Sequence, residues 1–360
     1  MKLLPVTGIA TALLAAPLSV GAGAEGHADA VYGRKMGMAL AFNALVPADK
    51  TVSPDVFSQL QQNAWYLPTK DGTARLYVTE LGEGPPIVFL HGGPGNDFHY
   101  IVDALRPHTD EARFILFDQR GSLMSPVPDA RVADLTAEML VGDLEHLREA
   151  LGEEKMVLFG HSWGSLLALL YFDKHPENVA GLILAASFPP ATEGGVAKWM
   201  EGLRTRQAEL IGRQDEIAVA VREAGLPENP VDDTPKQSSM RWRIEGQAPI
   251  MIVDLARWRE ATGAGGGVYY NLAAASAVGS SLPATFNFVD LIRSHDVPVA
   301  VIQGDRDYIG PGAPGWKKLS REGAPVTVTV LPRSNHHAWI DAPEGFRDAL
   351  REAIRTTRSR

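Results

Sequence analysis

Cysteine is absent from the 360 residues, which excludes disulfides, thiolate metal sites, a cysteine nucleophile and lipid attachment through sulfur. Net positive charge is absent too. The formal charge is −9, so the totals make no electrostatic case for a nucleic-acid partner, and the basic tail from Arg355 to Arg360 reads as a solvated chain end. No H-E-x-x-H pair or other zinc spacing occurs among the ten histidines, so no catalytic metal is expected. A Walker Gly-Lys-Ser/Thr and a helix-opening G-x-G-x-x-G are both missing, which sets aside phosphate and dinucleotide binding. No cofactor is expected.

What is present is an ordinary globular mixture, 45% hydrophobic and 21% charged, long enough to bury a core. Lys2, the apolar run over residues 3–20 and the small-x-small Ala22-Gly23-Ala24 read as an export signal cleaved after Ala24. Pro5, Thr7, Gly8, Thr11 and Pro17 make that run a poor spanning helix, which needs roughly 20 apolar residues. The expectation is an exported protein, periplasmic or secreted, with no stable membrane insertion after cleavage.

Beyond residue 64 the rhythm is strand, helix, strand. "ARLYVTEL" (74–81), "PIVFLHG" (86–92), "RFILFD" (113–118) and "KMVLFG" (155–160) read as strands. The last three are nearly continuous apolar runs, as expected of parallel strands covered on both faces. "LTAEMLVGDLEHLREALG" (135–152) carries a helical apolar stripe and ends on Gly152, a C-terminal stop. Strands "GLILAA" (181–186), "VPVAVIQG" (297–304) and "APVTVTVLP" (324–332) follow, with charged helical segments between the first two. The expected fold is α/β, a mainly parallel sheet flanked by helices with an inserted helical cap. The expected division is signal 1–24, core 25–188, cap 189–291 and core 292–360. "YGRKMGMALAFNAL" suggests a helix outside the core, and Asp341 with Glu344 suggests a capping box for a closing helix.

The chemistry centres on Gly160-His161-Ser162-Trp163-Gly164, between a strand and a helix. That context makes a nucleophile elbow, with Ser162 on a sharp turn and the helix dipole aimed at any oxyanion formed there. The competing reading is a plain strand-to-helix turn with serine as N-cap. A serine nucleophile needs an oxyanion hole and a base. "HGGPG" (91–95) follows a strand, so the N–H of Gly93 and that of Trp163 are the candidate oxyanion donors. The acid and base should follow at later strand ends in the order Asp, His. "GDRDY" offers Asp305 and Asp307, and "SNHHAWID" offers His336 and His337.

These residues, with "HGGPG", "FDQRGSLMS" and "GHSWGS", resemble the proline iminopeptidase branch of the α/β-hydrolase superfamily, over 72–190 and again over 297–352. The resemblance implies Ser162 as nucleophile, Gly93 and Trp163 as oxyanion donors, Asp307 as the acid and His336 as the base, with Asp305 a local turn residue. In that register Asn335 occupies a position that is commonly glycine, which suggests a left-handed backbone there. Two departures stand out, Leu123 in place of a glycine and His161 where these peptidases often have glycine. Family members bind the substrate amine through cap glutamates, for which Glu245 and Glu260 are the candidates here. The implied activity is a serine hydrolase working through an acyl-enzyme, an aminopeptidase first, with an esterase, lactonase or amidase on small molecules as the alternative. Its partner would be a small peptide or small-molecule acyl substrate. A catalytically silent binding protein of the same fold is the reading from a different class.

Overall fold

The computed structural model describes residues 63–192, 194–261 and 271–358. The export-signal segment and the helix suggested by "YGRKMGMALAFNAL" lie outside the described residues. Among the described residues eight strands form one sheet: β1 Trp65–Pro68, β2 Arg75–Leu81, β3 Pro86–Leu90, β4 Arg113–Phe117, β5 Met156–His161, β6 Val179–Ala185, β7 Val299–Gly304 and β8 Val326–Leu331. Their order is β1-β2-β4-β3-β5-β6-β7-β8. β1 and β2 pair antiparallel along one edge, and every neighbouring pair from β4 to β8 is parallel. The mainly parallel sheet matches the sequence expectation, whereas β1 was not anticipated.

The apolar runs form strands because both faces of the sheet are covered. Val88, Leu90, Leu158, Leu182, Leu184 and Val301 face one hydrophobic layer. Alternate residues of the same strands, such as Ile87, Phe89, Phe159, Ile183 and Ile302, face the other. The first layer is closed by α1 Ala137–Leu151 and α2 Trp163–Lys174. Thr136 caps α1 by accepting from the Met139 N–H, and Gly152, at φ 71°, ends it in the left-handed conformation, as its sequence suggests.

Between β6 and β7 the chain is largely helical, with α3 Gly195–Ile211, α4 Gln214–Glu223 and α5 Pro235–Trp242, a π-helical turn Arg243–Gln247, and α6 Leu272–Ser280. The two ends of this insertion are stapled by an isolated bridge between Ala191 and Asn287 and by the Phe288 N–H donating to the Pro190 carbonyl. After β7 come α7 Pro314–Arg321 and, after β8, α8 Pro343–Arg358, which buries Phe346, Leu350 and Ile354 in the second layer. The capping-box expectation for α8 is corrected. Asp341 closes a short turn, Ala338–Asp341, and its carboxylate accepts from the backbone N–H groups of Asn335 (2.8 Å) and Val253 (3.0 Å). Two backbone donors, one of them 88 positions away in sequence, outcompete the local cap.

The loop after β4 is fixed by a buried ion pair. Arg120 donates to both oxygens of Asp143 on α1, at 2.8 and 2.6 Å, and through Nη1 to Asp71 at 2.5 Å. Removing Asp143 leaves the guanidinium buried with one partner fewer, a change that costs on the order of 3 kcal/mol. Asp143→Ala is therefore expected to lower the urea midpoint by that equivalent; a loss under about 1 kcal/mol would show that Asp71 alone suffices.

Candidate active site

The elbow is built by close backbone packing. Ser162 stands between β5 and α2 at φ 54°, ψ −122°, a conformation costly for any residue with a Cβ. It is held by its N–H donating to the Ala185 carbonyl at the end of β6, and its own carbonyl accepts from both the N–H and the Oγ of Ser165. A Cβ on Gly164 would lie 1.9 Å from the Leu90 carbonyl oxygen, and one on Gly160 would lie 2.3 Å from that of Gly164. Helix α2 can therefore start directly over β3 only with glycine at those two positions. Ser162 Oγ is buried and makes no hydrogen bond to a protein group.

Around the elbow the strand-end loops converge. Trp163 opens α2, so its N–H is among those a helix leaves without an internal partner. Gly93, in the loop after β3, has φ 61°. Gln119 ties these parts together: its side chain accepts from Trp163 Nε1 (2.8 Å) and donates to the His91 carbonyl (2.9 Å), while its N–H donates to His91 Nε2 (3.0 Å). Burial pushes His91 down to about 4, so the ring is neutral and its Nδ1–H faces the Gly92 carbonyl.

After β7, Asp307 is fully buried, and its Oδ1 accepts from the Ile309 N–H (2.9 Å) and from His336 Nδ1 (3.1 Å). Of the two aspartates in "GDRDY", it is Asp307 that meets the imidazole. Asp305 instead accepts from the Ser334 N–H and aligns the loop that carries His336. The left-handed residue in that loop is Arg333, at φ 53°, and Asn335 is not among the positive-φ residues. The Asn335 expectation is thus corrected: the chain reverses two residues earlier, and Asn335 is held by Asp341. His337 points elsewhere. Its N–H donates to the Met251 carbonyl, and its ring stacks on Trp339 (4.5 Å) and Tyr100 (5.6 Å).

Burial and neighbouring imidazoles push both His161 and His337 well below the ordinary histidine value, so both are neutral. The insertion touches both loops. Arg206 on α3 donates to the Tyr308 carbonyl, and Arg257 donates to that of Ile340. Glu245 is paired with Arg241 at 3.2 Å and Glu260 with Arg257 at 2.6 Å, each side chain partly exposed. Tyr100, Gln119 and the Asp341 link escaped sequence reasoning. Only Gln119 had a signal, its place in "FDQRG".

A strained serine at a helix N-terminus, a nearby imidazole held by a buried carboxylate and glycine N–H groups form an arrangement suited to acyl transfer. Residues 85–343 match the family model described as alpha/beta hydrolase fold. The chain belongs to the alpha/beta hydrolase fold family. It is 43% identical over 118 residues to the proline iminopeptidase of Lactobacillus helveticus, covering 32% of this chain and 40% of that protein. It is also 43% identical over 122 residues to the proline iminopeptidase of Xylella fastidiosa, covering 33% and 38%. These matches span about two-fifths of the curated relatives' length. Among solved structures, a proline iminopeptidase-related protein of Thermus thermophilus superposes with TM-score 0.56 at 26% identity, covering 82% of this chain and 97% of that one. An esterase of Exiguobacterium antarcticum, at 20% identity and TM-score 0.57 over 81% and 98%, shares the fold.

The elbow packing predicts opposite outcomes for two glycines. Gly164→Ala drives a methyl into the Leu90 carbonyl and should cost about 3 kcal/mol or more. Gly142→Ala, in α1 with open space around it, should stabilise by roughly 0.5–1 kcal/mol. Thermal unfolding followed by circular dichroism ranks the two against the native chain, and equal midpoints would refute the packing argument.

Proposed function

We propose that this protein is a serine hydrolase in which Ser162 attacks an acyl carbonyl, His336 takes its proton and Asp307 holds the imidazole. The observation that carries this reading is the Asp307–His336 contact at 3.1 Å, both side chains buried, at strand ends of the sheet that presents the strained Ser162. With Nδ1–H committed to the carboxylate, Nε2 is the free base, and the carboxylate stabilises the imidazolium that forms. The oxyanion of the tetrahedral intermediate would be received by the N–H groups of Gly93 and Trp163. His336 then returns the proton to the leaving group, and water releases the acyl-enzyme by the same steps.

On substrate, the likeness to proline iminopeptidases supports an aminopeptidase releasing an N-terminal proline or another small residue. Glu245 and Glu260 would then be the carboxylates for the substrate amine, each needing release from its arginine. That requirement favours a second reading, an esterase, lactonase or amidase acting on uncharged small molecules, because a carboxylate already neutralised attracts an ammonium only weakly.

A fluorophosphonate probe should label the native chain, and Ser162→Ala should abolish labelling. His336→Ala should lower turnover by about 10⁴-fold or more, while His337→Ala should retain measurable activity; the reverse ranking would move the base to His337. Proline 4-nitroanilide and a short-chain 4-nitrophenyl ester, assayed side by side, separate the substrate readings, since ester turnover with no anilide turnover defeats the peptidase. Export is likewise proposed. N-terminal sequencing of protein from a periplasmic extract should begin at Glu25, and a chain that keeps Met1 in the cytoplasm would reject it.

A further inference from the structure

His161, the residue before the nucleophile, is a departure from the peptidase pattern that the proposed reaction leaves unused. It sits in a chain of polar contacts that are part-buried at Tyr100 and buried at His336. The Gly92 N–H donates to Tyr100 Oη at 2.6 Å, Tyr100 Oη lies 2.7 Å from His161 Nδ1, and His161 Nε2 lies 3.4 Å from the carbonyl oxygen of His336. The direction of each link follows from the chemistry of the ends. A backbone N–H can only donate, so Tyr100 Oη accepts from Gly92 and its own proton goes to His161 Nδ1. Burial raises the phenol's proton affinity and lowers the imidazole's, so the first keeps its proton and the second is neutral. With Nδ1 accepting, the proton of the neutral ring is on Nε2, aimed at the His336 carbonyl.

We propose that Tyr100 and His161 are positioning residues that lock three loops into one register: the oxyanion loop at Gly92, the elbow at Ser162 and the base loop at His336. The proposal rests on the serine-hydrolase reading of the same site. Gly92 precedes the oxyanion donor Gly93, His161 precedes Ser162, and the last link ends on the backbone of His336 itself. The packing is tight over the first of these. A Cβ on Gly92 would meet His161 Nδ1 at 2.9 Å, Ser162 Cβ at 3.0 Å and Tyr100 Oη at 3.1 Å. The phenol is also held from the base loop, its ring parallel to that of His337 within 3° and stacked on Trp339 at 5.8 Å. A hydroxyl satisfied at both ends fixes its neighbours more firmly than packing alone, because any slip of one loop leaves a buried donor or acceptor unpaired.

The test uses the full chain, the fluorophosphonate probe and a short-chain 4-nitrophenyl ester. Tyr100→Phe keeps the ring and removes the two contacts of the hydroxyl; His161→Leu removes the middle of the chain. Misplacing an oxyanion donor acts on the transition state, so each variant should lose roughly 10–100-fold in kcat and in the maximal inactivation rate, with KM and the probe's half-saturation within about twofold. The double variant should be no worse than the poorer single one, the signature of residues acting as a unit. Should one single variant fail to fold, the other carries the same expectation. An unchanged rate in either folded variant, a loss carried by KM, or losses that multiply in the double variant would overturn the proposal. If the native chain takes no label at all, it is the Ser162 reading that fails, and the positioning role falls with it.

Discussion

The site depends on one backbone constraint, the left-handed turn at Ser162. A serine at φ 54° costs roughly 1–3 kcal/mol over a relaxed conformation. The surroundings over-determine it: β5 and β6 pin the Ser162 N–H to Ala185, Ser165 grips its carbonyl with two donors, and the two flanking glycines let α2 settle against the Leu90 carbonyl. None of these contacts involves the hydroxyl. The side chain is thus presented by forces that act wholly on the main chain, which leaves Ser162 Oγ without a protein hydrogen bond. A reactive group can be held ready only if something else carries the strain.

The same economy explains how one imidazole is singled out among three. The rings of His161, His336 and His337 lie within 6.0 Å of one another. His161 meets a phenol and a carbonyl, and His337 Nδ1 has no partner. Only His336 is held by a carboxylate. In a buried cluster a second positive charge would meet both desolvation and repulsion. Two neutral rings therefore add no charge beside the one whose proton uptake Asp307 can compensate, consistent with the base role proposed for it.

Much of this was legible in the sequence because it is written in local pattern. Apolar runs bounded by glycine locate the parallel strands, and in such a sheet functional side chains gather at the carboxyl ends of strands, where Ser162, Asp307 and His336 are found. What escaped was set by distant partners. Strand β1 is short and only partly buried, so its pattern carries little signal. Asp341 with Glu344 has the form of a capping box, yet its carboxylate serves Asn335 and Val253, the latter 88 positions away. The left-handed turn was expected at Asn335 by residue preference, and it falls on Arg333, where preference gives no hint. Tyr100 meets His161 across 61 positions, a contact no window of sequence can contain.

The helical insertion shows why the chemistry is easier to read than the substrate. Its grip on the acid and base loops runs largely through main-chain atoms: the carbonyls of Tyr308, Ile309 and Ile340 accept from arginines, the Met251 carbonyl accepts from the His337 N–H, and the Val253 N–H reaches Asp341. Main-chain acceptors are the same whatever side chain they carry. The insertion can therefore stay docked on both loops while the side chains facing a bound substrate vary, and the geometry of Asp307 and His336 is insulated from that variation. Motifs for reacting groups can persist in such an arrangement, whereas residues facing a substrate, the role proposed for Glu245 and Glu260, are free of any fixed spacing. Reaction and selectivity are separable here because the contact that joins them is made by the backbone.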